Sequence, residues 1–181
     1  DKFGHSVAIS DDTIVVGAIS EDSSETTITN GTTASADNSA IASGAVYVYK
    51  RTGSTWVQEA YIKAANATSQ NNFGKSTSIS GDTIVVGAFK EKSGQTTITN
   101  GTTASGDISA SNSGAAYVYK RTGSNWVQEA YIKADNVNSS DNFGASISIS
   151  GDTVVVGAIA EDSNEITITN GCQQSLDLLA K

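Results

Sequence analysis

The sequence contains no proline and no methionine, and it has one cysteine and one histidine among 181 residues. Leucine occurs only near the end of the chain, at Leu176, Leu178 and Leu179. Because leucine and methionine are strong helix formers, their scarcity excludes a helical bundle. Cys172 has no second cysteine to pair with, so no disulfide framework holds the fold together.

Basic residues are also few, with 11 Lys and Arg against 19 Asp and Glu, a formal net charge of -8 and a pI near 4.4. This balance excludes nucleic acid as a partner, because such binding depends on Lys and Arg that neutralise phosphates. No apolar run approaches the roughly 18 residues of a membrane-spanning helix, so we expect no membrane insertion. The chain begins part-way through a recurring pattern, and we expect a mature product or an excised piece of a longer protein.

The residues that are abundant are Thr, Ser, Val, Ile, Gly and Tyr, and the β-branched and aromatic ones among them favour strands. They are arranged in a repeat. Phe3-Gly4, Phe73-Gly74 and Phe143-Gly144 follow one another at a spacing of 70 residues, and long stretches between them are identical. A fixed period of this kind indicates a protein built from stacked units. We divide the chain into repeat 1 (1–70), repeat 2 (71–140), partial repeat 3 (141–171) and an off-pattern tail (172–181).

Turn signals and alternation divide each unit into strands. In repeat 1 we predict strands at 6–10, 13–17, 45–50 and 56–63, joined in pairs by tight turns. These strands are apolar on both faces, so both faces of the sheet must be covered. The simplest cover is the same unit before and after it, which predicts an all-β propeller of four-stranded antiparallel blades. A β-sandwich is the alternative, and a solenoid fits a 70-residue unit less well.

A long polar segment separates the second and third strands, at 20–43 in repeat 1 and 90–113 in repeat 2. Asn30-Gly31 lies at its centre between β-branched residues, which is a strong hairpin signal, and Asn100-Gly101 is its equivalent. We therefore predict an inserted β-arm that projects from each blade. The alternative is a mobile Ser/Thr-rich insertion.

The order Phe-Gly, Ser-Val-Ala-Ile-Ser, Thr-Ile-Val-Val-Gly-Ala, Gly-Ala-Val-Tyr-Val-Tyr and Trp-Val-Gln-Glu-Ala resembles the FG-GAP repeats of bacterial secreted and surface proteins, which are similar to the integrin alpha-chain head repeats. The resemblance implies a β-propeller, usually of seven blades, that serves in recognition or adhesion and lies outside the cell. It also implies that the Phe and Gly residues pack at blade junctions. The structural signature comprises Phe3, Gly4, Gly17, Ala18, Gly44, Ala45, Trp56, Phe73, Gly74, Gly87, Ala88, Gly114, Ala115, Trp126, Phe143, Gly144, Gly157 and Ala158.

Two features depart from the integrin-type pattern. A calcium loop often joins the first two strands of such repeats, whereas Asp11-Asp12 forms a tight turn here. The two and a half units are also too few to close a seven-bladed ring. We therefore expect either self-association or the remainder of a larger propeller as a partner. As a candidate calcium site we name the acidic pairs after the second strand, Glu21-Asp22 and Glu161-Asp162. The middle repeat has Lys92 where the others have an aspartate, and no other cofactor is indicated.

The remaining candidates are single residues. His5 is replaced by Lys75 and Ala145 in the other repeats, and Cys172 lies where the repeat ends, so we predict no catalytic residue and no enzyme. The Trp and Tyr residues could stack on sugars, although filling the space between blades is the simpler interpretation. The sequence thus predicts a non-enzymatic recognition or adhesion module with an unidentified protein or glycan ligand. The alternative is a structural protein that self-assembles into a ring or filament through its open blade edges.

Overall fold

The computed structural model describes residues 1–163. Within these residues there is no helix, and the strands are β1 (Phe3–Ser10), β2 (Thr13–Ala18), β3 (Ile28–Asn30), β4 (Ala45–Thr52), β5 (Thr55–Ile62), β6 (Phe73–Ser80), β7 (Thr83–Ala88), β8 (Thr99–Asn100), β9 (Ala115–Thr122), β10 (Asn125–Ile132), β11 (Phe143–Ser150) and β12 (Thr153–Ala158).

The strands form three antiparallel sheets, which we call blades 1, 2 and 3. Blade 1 has the order β1-β2-β4-β5-β3, blade 2 has the order β6-β7-β9-β10-β8, and blade 3 comprises β11 and β12. In blades 1 and 2 the four long strands make the predicted up-and-down meander. The all-β propeller-blade fold expected from the sequence is therefore confirmed.

The turns form as the sequence predicts. Asp11 adopts a φ of 50° in the turn between β1 and β2, and Gly81 and Gly151 adopt 56° and 55° at the same place. This left-handed conformation costs glycine little, and short polar residues such as aspartate tolerate it. Gly53, between β4 and β5, and Gly123, between β9 and β10, adopt the same conformation, with φ of 62° and 65°.

Neighbouring blades approach one another closely at the Phe-Gly and Gly-Ala positions. Gly44 of blade 1 forms a parallel bridge with Phe73 of blade 2. A Cβ atom added at Gly17 would lie 2.3 Å from the carbonyl oxygen of Gly74. The Ser6 hydroxyl donates a hydrogen bond of 2.9 Å to that same carbonyl. Side chains are thus excluded where the two backbones meet, which explains why these positions are glycine in each repeat.

One core cluster lies between blades 1 and 2, and a second lies between blades 2 and 3. Phe73 is fully buried and meets Tyr117 edge-on, with ring centroids 5.3 Å apart. In blade 1 the equivalent Phe3 makes the same edge-on contact with Tyr47 at 5.3 Å but remains 55% exposed. The aromatic arrangement is therefore built within a blade, and the blade before it supplies the burial.

The inserted segment does not form the projecting β-arm that the sequence predicted. Ile28–Asn30 pairs with β5 as a fifth strand at the outer edge of blade 1, with Ile28 opposite Ile62 and Asn30 opposite Ala60. Gly31 continues this pairing by donating its N–H to the Glu59 carbonyl at 2.6 Å. Thr99–Asn100 pairs with β10 in blade 2 in the same way. The unpaired edges of β5 and β10 compete with a local hairpin for the backbone N–H and C=O groups of the insertion, and the structure shows pairing with these edges.

None of residues 1–163 belongs to a helix that could cross a membrane. Some predictions fall outside the described residues, namely those for Asn170-Gly171, for Cys172 and for the tail at 172–181. Partial repeat 3 is described as far as residue 163.

Candidate interaction surface

A buried lysine fixes the two ends of each inserted segment. Lys63, just after β5, places its Nζ 2.6 Å from Glu21 Oε2 and 2.7 Å from Ser43 Oγ. Glu21 begins the segment and Ser43 ends it, so one ammonium group ties both ends to the outer strand. Burial lowers the pKa of Lys63, while the hydrogen bond and charge of Glu21 act in the opposite direction.

Blade 2 repeats this arrangement. Lys133 Nζ lies 2.8 Å from Glu91 Oε2 and 2.8 Å from Ser113 Oγ, and it also donates to the Gly114 carbonyl at 2.6 Å. Both side chains of the Lys133–Glu91 pair are almost fully buried. Removing either partner would leave an uncompensated buried charge, so the start of the insertion at Glu91 is tied to the position of Lys133.

These ion pairs bear directly on the candidate calcium site. Glu21 is engaged by Lys63, and Asp22 Oδ1 accepts the Ala42 N–H at 2.7 Å. In repeat 3, Glu161 accepts Asn136 Nδ2 at 3.1 Å and lies on an exposed loop. No group of three or more metal-ligating side chains comes together anywhere in residues 1–163. The structure therefore disfavours calcium at Glu21-Asp22, since a cation there would have to displace a buried ammonium.

A second carboxylate shapes the exposed part of the insertion. Asp37 Oδ2 accepts hydrogen bonds from Ser24 N at 2.7 Å, Ser24 Oγ at 2.8 Å and Ser39 Oγ at 2.9 Å. These donors lower the pKa of Asp37 to about 2. Asp107 has the same role in blade 2, where it accepts from Gly94 N and Ser109 Oγ, both at 2.7 Å. The insertions are thus ordered by internal hydrogen bonds.

The insertion of blade 2 also contacts the connection that leaves blade 1. Asn66 Nδ2 donates to the Ser105 carbonyl at 2.6 Å and to Glu91 Oε1 at 3.0 Å. Lys92 Nζ donates to the Ser69 carbonyl at 2.8 Å. Insertions and connections therefore form one continuous surface at this end of the blades. We call it the loop surface, and it comprises residues 19–25, 36–42 and 65–70 of repeat 1 and 89–95, 106–112 and 135–140 of repeat 2.

The two repeats differ most in chemistry on the loop surface. Asp22 is replaced by Lys92, and Ile41 by Ser111, while Ile108 replaces an asparagine. Ile41 and Ile108 are both about two-thirds exposed, at 66% and 68%. The strands beneath are nearly identical in the two copies. One framework therefore presents two different sets of exposed side chains.

The other sequence-predicted candidates lie away from this surface. His5 is exposed on β1, with its Nε2 3.5 Å from Lys75 Nζ, and partial burial followed by the charge of Lys75 lowers its pKa. Trp126 is 1% exposed and Tyr61 is fully buried, so neither ring face is available to a sugar. Trp56 is 41% exposed beside Arg51.

A contact that sequence reasoning missed joins the outer strands of blades 1 and 2. Glu59 Oε2 accepts the Trp126 Nε1–H at 3.0 Å and pairs with Arg121 Nη1, also at 3.0 Å. Asn30 completes the contact, because its Oδ1 accepts the Trp126 N–H at 2.7 Å and its Nδ2 donates to the Trp126 carbonyl at 3.3 Å. We call these four residues the junction contact.

The signal that could have revealed the junction contact is the exact recurrence of its members. Asn100, Glu129, Arg51 and Trp56 are the equivalents of Asn30, Glu59, Arg121 and Trp126 in the other repeat. Recurrence alone did not show which of them face each other, since the partners lie in different repeats. A cavity of about 260 Å³ lies beside the contact, between Ile28 and Trp126.

Comparison with known families agrees with this architecture. A family model described as FG-GAP repeat matches residues 1–49, 56–119 and 126–170. These three segments cover most of the chain and follow the 70-residue period. Among curated proteins, no sequence matches the chain.

Proposed function

The chain belongs to the FG-GAP repeat family, and from that premise we propose that it is a non-enzymatic recognition module that binds a protein or glycan through its loop surface. FG-GAP repeats are consistent with interaction or β-propeller modules and typically occur in extracellular or surface proteins. We extend this to adhesion at the surface of a cell. Loops held by a rigid framework are where binding residues are commonly found.

The observation that carries the proposal is the contrast between framework and loops. Buried ion pairs at Lys63 and Lys133 fix the ends of each insertion, and hydrogen bonds to Asp37 and Asp107 fix its exposed turn. Pre-ordered loops lose little conformational entropy on binding. On these loops, Ile41 and Ile108 expose large apolar side chains, which is an arrangement suited to an external partner.

Catalysis finds little support in the same geometry. FG-GAP repeat proteins are generally non-enzymatic. His5 is exposed on β1 with its Nε2 3.5 Å from the Lys75 ammonium, and the serines near Lys63 and Lys133 are buried and donate to backbone carbonyls. A substrate would have no access to those hydroxyl groups.

The experiment is a screen of glycan and protein arrays with the full chain, followed by variants that exchange residues between the repeats. Ile41→Ser and Ile108→Asn each introduce a residue that already occupies the equivalent loop position. We expect each to weaken binding of the captured ligand several-fold, because each removes exposed apolar contact area. The matched control is Thr55→Asn, which makes the same kind of exchange at the start of β5, at the opposite end of blade 1.

Two results would count against the proposal. A blank across both arrays would remove the recognition function. Binding that persists in Ile41→Ser and Ile108→Asn but is lost in Thr55→Asn would move the ligand away from the loop surface.

Self-assembly is the second candidate function, and the open face of blade 1 favours it. Phe3, Val7 and Ile9 are 55%, 67% and 66% exposed, whereas Phe73 and Ile79 are buried at the equivalent places in blade 2. Such a face can associate with other copies. Light scattering at micromolar concentration tests this candidate. We expect particles larger than a monomer that shrink in Val7→Thr, which introduces the residue of repeat 2, and a stable monomer would rule out assembly.

A further inference from the structure

Half of a second junction contact lies on the far side of blade 2. Asn100 and Glu129 occupy the positions that Asn30 and Glu59 occupy in blade 1. Glu129 Oε2 is buried, and no hydrogen-bond partner for it is found among the described residues. A buried carboxylate oxygen without a donor is costly, so this atom marks a site built to receive one.

The surroundings of Glu129 and Asn100 match those of the filled contact. A cavity of about 250 Å³ lies further along the same two strands, β8 and β10, and is lined by Thr96, Ile98, Lys133 and Phe143. Thr26, Ile28 and Lys63, the equivalents of the first three, line the cavity at the filled junction, where Trp126 supplies the opposite wall. The far side of blade 2 therefore has the acceptor groups and the space of the junction, without the aromatic wall in residues 1–163.

The donor side of the contact is a preformed unit. Arg121 and Trp126 lie directly opposite each other on β9 and β10, with the guanidinium carbon 5.2 Å from the indole centroid. Arg51 and Trp56 repeat this pairing in blade 1 at 5.6 Å. The cross-strand pairing places the indole and the guanidinium side by side in both blades, and Asp12 and Asp82, in the turn before the second strand of each blade, also pair with the arginine.

We propose that the face of blade 2 formed by Asn100 and Glu129 is a docking site for a β-hairpin that carries a cross-strand Arg–Trp pair. The Glu129 carboxylate accepts the indole N–H and the guanidinium, and the Asn100 amide binds the backbone of the tryptophan. Opposite charges meet in a partly buried setting, which gives strong and directional hydrogen bonds. The site is separate from the loop surface and does not depend on the ligand proposed for it.

The rest of the fold decides which form of hairpin fits. β11 and β12 already cover the inner part of blade 2, so an intact second copy, whose β1 and β2 accompany its Arg51–Trp56 pair, would collide with them. β4 and β9 pair with β2 and β7 in the other blades, whereas β12 pairs only with β11 within residues 1–163. The occupant is therefore an isolated β-hairpin that is not preceded by two strands as β4 is preceded by β1 and β2. Its first strand pairs with β12.

The experiment uses the full chain and a synthetic hairpin with the sequence of residues 45–62, closed by a terminal disulfide and labelled with fluorescein. Fluorescence anisotropy should show saturable binding. Glu129→Gln should weaken it about tenfold or more, because a charge-assisted hydrogen bond is lost. Asn100→Ala should weaken it as well. Glu25→Gln is the matched control, since it removes a carboxylate elsewhere and introduces the residue of repeat 2, and its binding should be unchanged.

The hairpin supplies the complementary test. Arg51→Lys and Trp56→Phe within the peptide should each weaken binding to the wild-type chain more than binding to Glu129→Gln, because the amide oxygen of the variant is a neutral and weaker acceptor than the carboxylate. Thermal unfolding of the Glu129→Gln chain shows whether its fold is intact. The proposal is overturned if a peptide that is folded by circular dichroism fails to bind, or if it binds the wild type and Glu129→Gln equally. Ile108→Asn should leave hairpin binding unchanged, which separates this site from the loop surface.

Discussion

The outer hairpins of blades 1 and 2 are almost the same sequence in two environments. Residues 47–54 and 117–124 are identical, as are 57–64 and 127–134. Yet Trp126 is 1% exposed and Trp56 is 41% exposed, and Arg121 is buried by Glu59 while Arg51 is half exposed. The hairpin determines where its side chains point, and the preceding blade determines whether they are buried. Stability in this chain is therefore a property of neighbouring repeats more than of single ones.

The largest test of this comparison replaces the phenylalanine of the Phe-Gly pair in each blade. Phe73→Ala should lower the free energy of unfolding by about 3–5 kcal/mol, because it empties a fully buried site. Phe3→Ala should cost much less, since that ring is more than half exposed. Chemical denaturation of both variants gives the difference. Equal losses would show that the blade before Phe73 contributes nothing to its burial.

The carboxylates of the junction provide the second test. Glu59→Gln should destabilise the chain by about 1.5–3 kcal/mol, because Glu59 accepts from Trp126 and pairs with Arg121. Glu129→Gln should have little effect on unfolding, since its Oε2 has no hydrogen-bond partner among the described residues. Urea unfolding followed by tryptophan fluorescence measures both. A larger loss in Glu129→Gln would reverse the comparison.

The third test separates backbone strain from close approach. Gly4 and Gly74 have nearly the same positive φ, at 86° and 85°. A Cβ at Gly74 would lie 2.7 Å from the Ala45 carbonyl oxygen, whereas nothing lies within 4 Å of one at Gly4. Both alanine variants carry the strain, and Gly74→Ala should cost about 1–3 kcal/mol more through overpacking. Thermal unfolding measures the gap, and the absence of one would show that the blades can move apart freely.

The sequence was sufficient to predict the meander because its signals are local. Asp11-Asp12 and Gly53 mark turns between strands that are adjacent in the chain, and the apolar alternation on both faces predicts a covered sheet. The same local reasoning gave the wrong structure for the insertion. Asn30-Gly31 carries a hairpin signal, but the competing partner is β5, about 30 residues away.

Longer-range partners account for the other differences. The acidic pair Glu21-Asp22 was a reasonable calcium candidate by composition, but the Lys63 ammonium that occupies it lies 42 residues further along the chain. The junction contact joins Asn30 to Trp126, which are separated by 96 residues. No pattern in one repeat specifies which face of the next repeat it will meet, so these residues become visible only when the blades are stacked.

The smallest expected effect is on the pKa of one carboxylate in each insertion, Asp37 in blade 1 and Asp107 in blade 2. The pKa of Asp37 is lowered from its ordinary value of 3.8 to about 2, so its contribution to stability is present above about pH 4 and is lost as the pH falls through 2. Ser24 supplies two of the hydrogen bonds, whereas Gly94 can offer Asp107 only its backbone N–H. Ser24→Gly should therefore raise the pKa of Asp37, and a carboxyl titration by NMR measures it. In the other insertion, Ser109→Ala removes the hydroxyl that donates to Asp107, and it should likewise raise the pKa of Asp107. If neither pKa moves, the hydroxyl contributes nothing, and the order of the two loops must come from their backbone bonds alone.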